Sequence, residues 1–306
     1  TLFGANPYHS FWSNFERMEG LITYLHLFGL MLAIGHTIRT KSEWSVFLGI
    51  SLLGSVFVGL YGVCEHFAYD DGILPLTKLE KFCTNGSGGV RIFSTLGNFI
   101  YLAVYALFQM FFAAIVYSES KDSALKTIYG GLFIFNTYIF FLSGSRGALV
   151  GLLAGVAVMG VGAFWIIKKP LHRSVIALLG VGIVAAPFVL HAIHIERFVS
   201  GSNVLARIST VNISDITDQP RFKIWRVGLR AVEARPLFGW GPENFIIPYA
   251  KYYDPSLYGN EPWFDRVHNM SLQWLVDAGI VGFAAYLTLV GSVFYSLYIL
   301  VRRGKL

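Results

Sequence analysis

Few residues in this chain have the chemistry to move a proton or hold an anion. His268 stands in the stretch DRVHN, just ahead of the last apolar run. Imidazole titrates near neutrality, which suits general-base work; a structural histidine is the alternative, and Asp265 three residues earlier is expected to orient the ring. Asn269 beside it adds an amide for substrate contact. Arg221 follows Asp218-Gln219-Pro220, which reads as a helix start with Asp218 as N-cap and proline in the first turn. A cation there opposes the helix dipole but sits beside backbone N–H groups that attract anions, so it asks for an anionic partner. The alternative is a solvated cation or a salt bridge to Asp218. Arg91 and Arg146 stand at the ends of apolar runs, where an arginine either holds an anion or reaches out to lipid headgroups.

Other chemistries lack their motifs. There is no P-loop, HExxH, CxxC or helix-opening GxGxxG. SGSRG at 143–147 does not have the order of a nucleophile elbow. Asp70 and Asp71 precede Gly72 and read as a turn rather than a metal site. No metal and no cofactor is expected.

The elements that must position these residues are read from hydropathy. The chain is 55% hydrophobic and 14% charged, with mean hydropathy +0.57, whereas soluble domains carry about 25% charged residues. Apolar runs fall at roughly 20–38, 45–64, 92–117, 127–143, 148–167, 175–193 and 278–300, most near the roughly 18 to 20 residues that cross a bilayer. The expected fold is all-α: a polytopic transmembrane helical bundle of about seven spans, forming one membrane domain over 1–306. A β-barrel would instead show short alternating segments. No signal peptide is visible at the start. Residues 1–19, with Phe11, Trp12 and Phe15, read as an interfacial aromatic segment.

Lysine and arginine set the orientation. Arg39 and Lys41, Lys121 and Lys126, Lys168, Lys169 and Arg173, and the Arg302-Arg303-Lys305 tail fall on one side of a seven-span chain. Much of the net charge of +6 thereby orients loops. The other side then holds the N-terminus, the 65–91 loop, the 143–147 connection and a large outward loop, 194–270. Cys64 and Cys83 bracket the 65–91 loop as either a disulfide or two separate thiols. Gly147, Gly151 and Gly155 recur every fourth position and are expected to let a neighbouring helix approach.

Within the outward loop, the spacing predicts a helix to about Ala234 with an apolar face of Phe222, Trp225, Leu229 and Val232. Such a helix lies on the membrane surface or against the bundle. Pro236, Gly239, Gly241 and Pro242 then impose a tight turn. Asn244, Tyr249, Tyr252, Tyr253, Tyr258 and Trp263 make a surface suited either to stacking on sugars or to an interfacial belt.

Four stretches in this order resemble the O-antigen ligase and O-antigen polymerase superfamily of bacterial inner-membrane proteins. They are RIFSTLGNFIYLA at 91–103, SGSRGAL at 143–149, PRFKIWRVGLRAVEARPLFGWGPENF at 220–245 and HNMSLQWLVDAGIVGF at 268–283. The resemblance implies a metal-independent, inverting glycosyltransferase of the inner membrane whose site faces the periplasm. Its donor would be a glycan on undecaprenyl diphosphate, its acceptor a hydroxyl of lipid A-core or of another glycan. Arg146 and Arg221 match essential arginines of the family, His268 its essential histidine, and Arg91 a further arginine. Asn98-Phe99-Ile100 stands where the family often has Asn-Pro-Asn. Family members usually have further spans ahead of the position of Thr1, so such helices are expected. A polymerase or a protein O-oligosaccharyltransferase fits the same resemblance. A transporter or flippase of lipid-linked glycans is the rival from another class, and a structural membrane protein without catalysis a third reading.

Overall fold

The computed structural model describes residues 2–15, 17–69, 91–166, 220–258 and 263–303. Every regular element among them is helical: α1 (Pro7–Trp12), α2 (Leu21–Thr37), α3 (Lys41–Tyr69), α4 (Phe99–Glu119), α5 (Ser123–Leu142), α6 (Arg146–Ile166), α7 (Pro220–Ala234), α8 (Ile246–Lys251) and α9 (Met270–Arg302). Short 3₁₀ turns occupy Ser94–Leu96 and Pro255–Leu257.

Four helices are long and apolar enough to cross a membrane: Lys41–Phe67, Phe99–Glu119, Ser123–Leu142 and Met270–Leu300. The count of about seven spans is not confirmed among the described residues. Leu21–Thr37 is apolar but shorter; its 17 residues rise about 26 Å, short of a hydrocarbon core of roughly 30 Å. In α6, of 21 residues, the stretch Arg146–Gly160 is apolar. The run at 175–193 lies outside the described residues, as do Asp218, Lys168, Lys169 and Arg173. The chain divides into two compact units, Thr1–Thr37 with Asn212–Leu306, and Ile38–Val211.

In the unit Ile38–Val211, α4 packs along α5 and α3 lies against both. Lys41 on α3 pairs with Glu119 at the end of α4 at 3.1 Å, so these two helices run antiparallel. The core consists of Ile92, Leu102, Ala103, Ala106, Met110, Ile139, Phe140 and Ala148, with Leu48, Leu52, Ala113 and Val116 beyond it. Polar groups inside this core are paired, because hydrocarbon offers them no water. Ser51 and Gln109 bond at 2.9 Å, and Asn136 donates to Ser55 at 3.1 Å. Cys64 is disulfide-bonded, and Cys83 lies outside the described residues.

Two sequence expectations change here. Residues 92–98 do not continue the apolar helix. Buried Glu65 accepts the N–H of Ser94 at 2.8 Å and of Phe93 at 3.2 Å, and Asn98 caps α4 through the N–H of Ile100 at 2.8 Å. The chain departs from Asn-Pro-Asn at this point, yet its asparagine still starts the helix. The expected close helix approach along Gly147, Gly151 and Gly155 is also absent among the described residues. A side-chain carbon at the first two would meet open space, and at Gly155 would only graze Phe111.

In the other unit, α7 packs against α9 and α8. Its buried stripe is Ile224, Val227, Gly228 and Ala231, rotated from the expected Phe222, Trp225, Leu229 and Val232. Leu229 is exposed. The stripe follows its smallest members: Gly228 lets Leu272 and Val267 approach until an added carbon would stand 3.0 Å from each. Around it gather Trp240, Phe245, Tyr249, Leu257, Phe264 and Val276. Tyr249 is thereby a core residue rather than part of an open aromatic surface.

The N-terminal segment is tied to the 240–266 stretch more tightly than an interfacial belt would be. Asn244 is buried; its Nδ2 donates to the Ser10 hydroxyl at 2.9 Å and the Asn6 carbonyl at 3.3 Å, and its Oδ1 meets His9 Nδ1 at 3.1 Å. Ala5 donates its N–H to the Trp240 carbonyl at 2.7 Å. Trp12 and Phe15 remain exposed.

The last helix is broken. Gly279 lies in the left-handed region at φ 64° inside α9. The backbone groups freed there are met by the turn after α7: Trp240 and Gly241 donate to the carbonyls of Val276 and Asp277 at 2.7 and 2.8 Å, and Ile280 donates to Pro236 at 2.8 Å. Close backbone pairing of this kind needs glycine on both sides. A side-chain carbon at Gly279 would overlap the Leu237 carbonyl, and one at Gly239 (φ 67°) the Val276 carbonyl.

Candidate active site

Asn269 starts α9, its Oδ1 accepting the N–H of Leu272 at 3.3 Å while its carbonyl accepts from Gln273 at 2.7 Å. His268 precedes this cap with φ 55°, a conformation that costs a non-glycine residue about 1–3 kcal/mol and persists only where its surroundings impose it. Its ring is exposed and meets the edge of Phe264 at 5.7 Å between centroids.

His268 and Asn269 both line a cavity of about 550 Å³ that also presents Glu19, Glu243, Arg266 and Asp277. Arg266 bridges the first two carboxylates, at 2.7 Å from Glu19 and 2.6 Å from Glu243. Burial alone would lower its pKa; its hydrogen bond to Glu19 and the charges of Glu243 and Glu19 outweigh it, so the guanidinium is held protonated. Asp277 sits at the helix break, and Gln273 donates to its carboxylate at 2.9 Å while accepting the N–H of Val267 at 2.9 Å. Glu243 shares the left-handed conformation of His268, at φ 63°. Trp274 and Tyr24 complete the apolar side of the cavity.

The cavity wall thus carries three carboxyl groups and one guanidinium. It offers hydrogen-bond acceptors and an aromatic side, which suits hydroxyl-bearing rings. No group of three or more metal-ligand side chains occurs among the described residues.

Of the sequence-derived candidates, the structure therefore brings His268 and Asn269 to one cavity. Arg221 belongs to the same unit, exposed in the first turn of α7, but does not line it. Arg91 and Arg146 belong to the other unit and lie at one end of it. The Arg91 guanidinium stands 3.8 Å over the Phe99 ring at the start of α4. Arg146 opens α6, where the Ser145 hydroxyl accepts the N–H of Ala148 at 3.4 Å. Asp265 does not serve His268 as expected: it is held by Arg17 through two bonds, of 2.5 and 3.1 Å.

Glu19, Glu243, Arg266 and Asp277 were not singled out in the sequence. Asp277 carried a signal, as the one charged residue between His268 and Arg302; an ionisable group inside an apolar run is a functional candidate by default. Glu19 and Glu243 carried none, since their meeting depends on the fold of the N-terminal segment.

Comparison with known proteins bears on this arrangement directly. No curated protein and no solved structure matches the chain. The family described as O-antigen ligase matches residues 131–287, just over half of the length. The match takes in Arg146, Arg221, His268, Asn269, Glu243 and Asp277, and leaves out Arg91 and Glu19. It spans both the helix opened by Arg146 and the cavity headed by His268, and on it the chain belongs to the O-antigen ligase family.

Proposed function

We propose that this member of the family transfers a glycan from undecaprenyl diphosphate to an acceptor hydroxyl at the periplasmic face of the inner membrane. The acceptor is lipid A-core in the ligase reading. The observation that carries the proposal is the position of His268, strained and exposed at the rim of a cavity whose wall suits sugar hydroxyls. His268 takes the proton of the acceptor hydroxyl as its oxygen attacks the anomeric carbon. The bond from that carbon to the diphosphate breaks on the opposite face, the anomeric centre inverts, and undecaprenyl diphosphate leaves.

Charge builds on the diphosphate as the bond breaks. Arginines neutralise such charge through paired hydrogen bonds without a metal, the role proposed for Arg146 and Arg221, with Arg91 and Asn269 as binding residues. In this reading 194–270 is a periplasmic loop. Transfer to another lipid-linked repeat or to a protein hydroxyl would use the same groups.

One observation favours the flippase reading: the broken α9 with Asp277 at its break, a device also used by transporters. A single assay separates the two. Purified protein is incubated with undecaprenyl-diphosphate glycan and acceptor in EDTA, alongside His268→Ala and Arg221→Ala. Transfer is expected in wild type and to fall by about 10²–10⁴-fold on loss of the base, with Arg221→Ala also inactive. Wild-type rates in His268→Ala would remove the base assignment. Movement of the donor between leaflets without any transfer would favour the flippase.

A further inference from the structure

A second pocket, away from His268, has the opposite charge. Lys223, Arg226 and Arg230 follow one another at helical spacing on α7 and face Tyr252, Tyr253 and Asp254 across about 290 Å³. Three cations meet one carboxylate there. That carboxylate is already committed: Asp254 accepts the Ser256 hydroxyl at 2.7 Å and its N–H at 3.0 Å. These bonds, with the nearby charges of Lys223 and Arg226, hold its pKa below the ordinary value. Lys223 is steadied by the Ser256 carbonyl at 3.4 Å, and Arg226 and Arg230 are exposed.

The opposite face of α7 accounts for the rigidity of this arrangement. Ile224, Val227 and Ala231 are locked into the core, so the cations stand on a fixed backbone. Tyr252 and Tyr253 pack partly against the same core, which leaves them as fixed walls. Guanidinium groups pair bidentately with carboxylate and phosphate oxygens alike, but a phosphate monoester, with close to two negative charges and three terminal oxygens, engages several cations at once; the volume is near the lower end for small-molecule pockets, roughly 300 Å³.

We infer that the pocket between α7 and the Tyr252–Pro255 turn is a binding site for a phosphate monoester. Its two sources in this setting are a phosphorylated sugar and a lipid headgroup. None of its residues lines the cavity at His268.

The test uses the full chain in nanodiscs of purely zwitterionic lipid, with glucose 6-phosphate, glucose and inorganic phosphate as probes in titration calorimetry. Glucose 6-phosphate is expected to bind, glucose not, and binding to weaken as salt rises. Arg226→Glu with Arg230→Glu is expected to weaken it about tenfold or more, whereas Arg226→Lys with Arg230→Lys retains part of it. A parallel arm compares the amounts of phosphatidic acid and phosphatidylcholine retained by wild type and by the charge-reversed protein. Charge-dependent binding of glucose 6-phosphate assigns the sugar source; charge-dependent retention of phosphatidic acid alone assigns the headgroup. If the charge-reversed protein melts like wild type and matches it in both arms, the inference is overturned.

Discussion

Replacing Gly279 by alanine tests the joint between the broken last helix and the turn after α7. Alanine there must adopt φ 64°, which costs an L-residue about 1–2 kcal/mol. Its Cβ would also overlap the Leu237 carbonyl and come within 2.6 Å of the Phe238 nitrogen. These are backbone atoms and cannot rotate away, so the turn must lift. The nearest bonds are Ile280 to Pro236 at 2.8 Å and Val281 to Leu237 at 3.4 Å; losing both costs about 1–3 kcal/mol at roughly 0.5–1.5 each. The expected destabilisation is about 2–5 kcal/mol, a fall of roughly 5–10 °C in melting temperature for a chain of this size. Gly291→Ala, in the same helix, is the control: its added carbon would meet nothing within 4 Å, and alanine gains up to about 1 kcal/mol of helix propensity. The assay is thermal unfolding of both variants in one detergent, read by near-ultraviolet circular dichroism. If Gly279→Ala melts with wild type and Gly291→Ala, the turn does not hold the break, and the pairing drawn here is refuted.

Two further substitutions probe the same unit. Asn244→Ala removes the buried amide that ties His9, Ser10 and Asn6 to the 240s; a loss of about 2–3 kcal/mol and faster tryptic cleavage at Arg17 are expected, and unchanged cleavage would show the segment to be held elsewhere. Arg266→Met leaves Glu19 and Glu243 unbridged. Because Glu19 is partly exposed, the cost is discounted to roughly 1–3 kcal/mol. Adding Glu243→Gln should recover part of the loss in thermal unfolding.

Much of the protein was legible in its sequence because the signal was local. Hydropathy and run length identify a helical membrane protein, since a bilayer imposes one length on every span. The helix of α7 up to Ala234 follows from apolar spacing, which involves only neighbouring residues. His268 and the arginines stood out because charged and titratable groups are scarce in an apolar chain. What local reading could not reach depends on which surfaces meet. The face of α7 was read only in part: Trp225 and Val232 pack partly against the core, but the deepest burial followed Gly228 and Ala231, the residues that allow close approach, and left Leu229 exposed. The seven-span count is not confirmed among the described residues, which leave out the run at 175–193. Asp265 lies next to His268 in the chain but is held by Arg17, 248 positions away. The break at Gly279 and the acidic cavity beside it exist only because the turn at 236–241 supplies partners for the freed backbone groups. A sequence lists donors and acceptors; tertiary structure decides which of them meet.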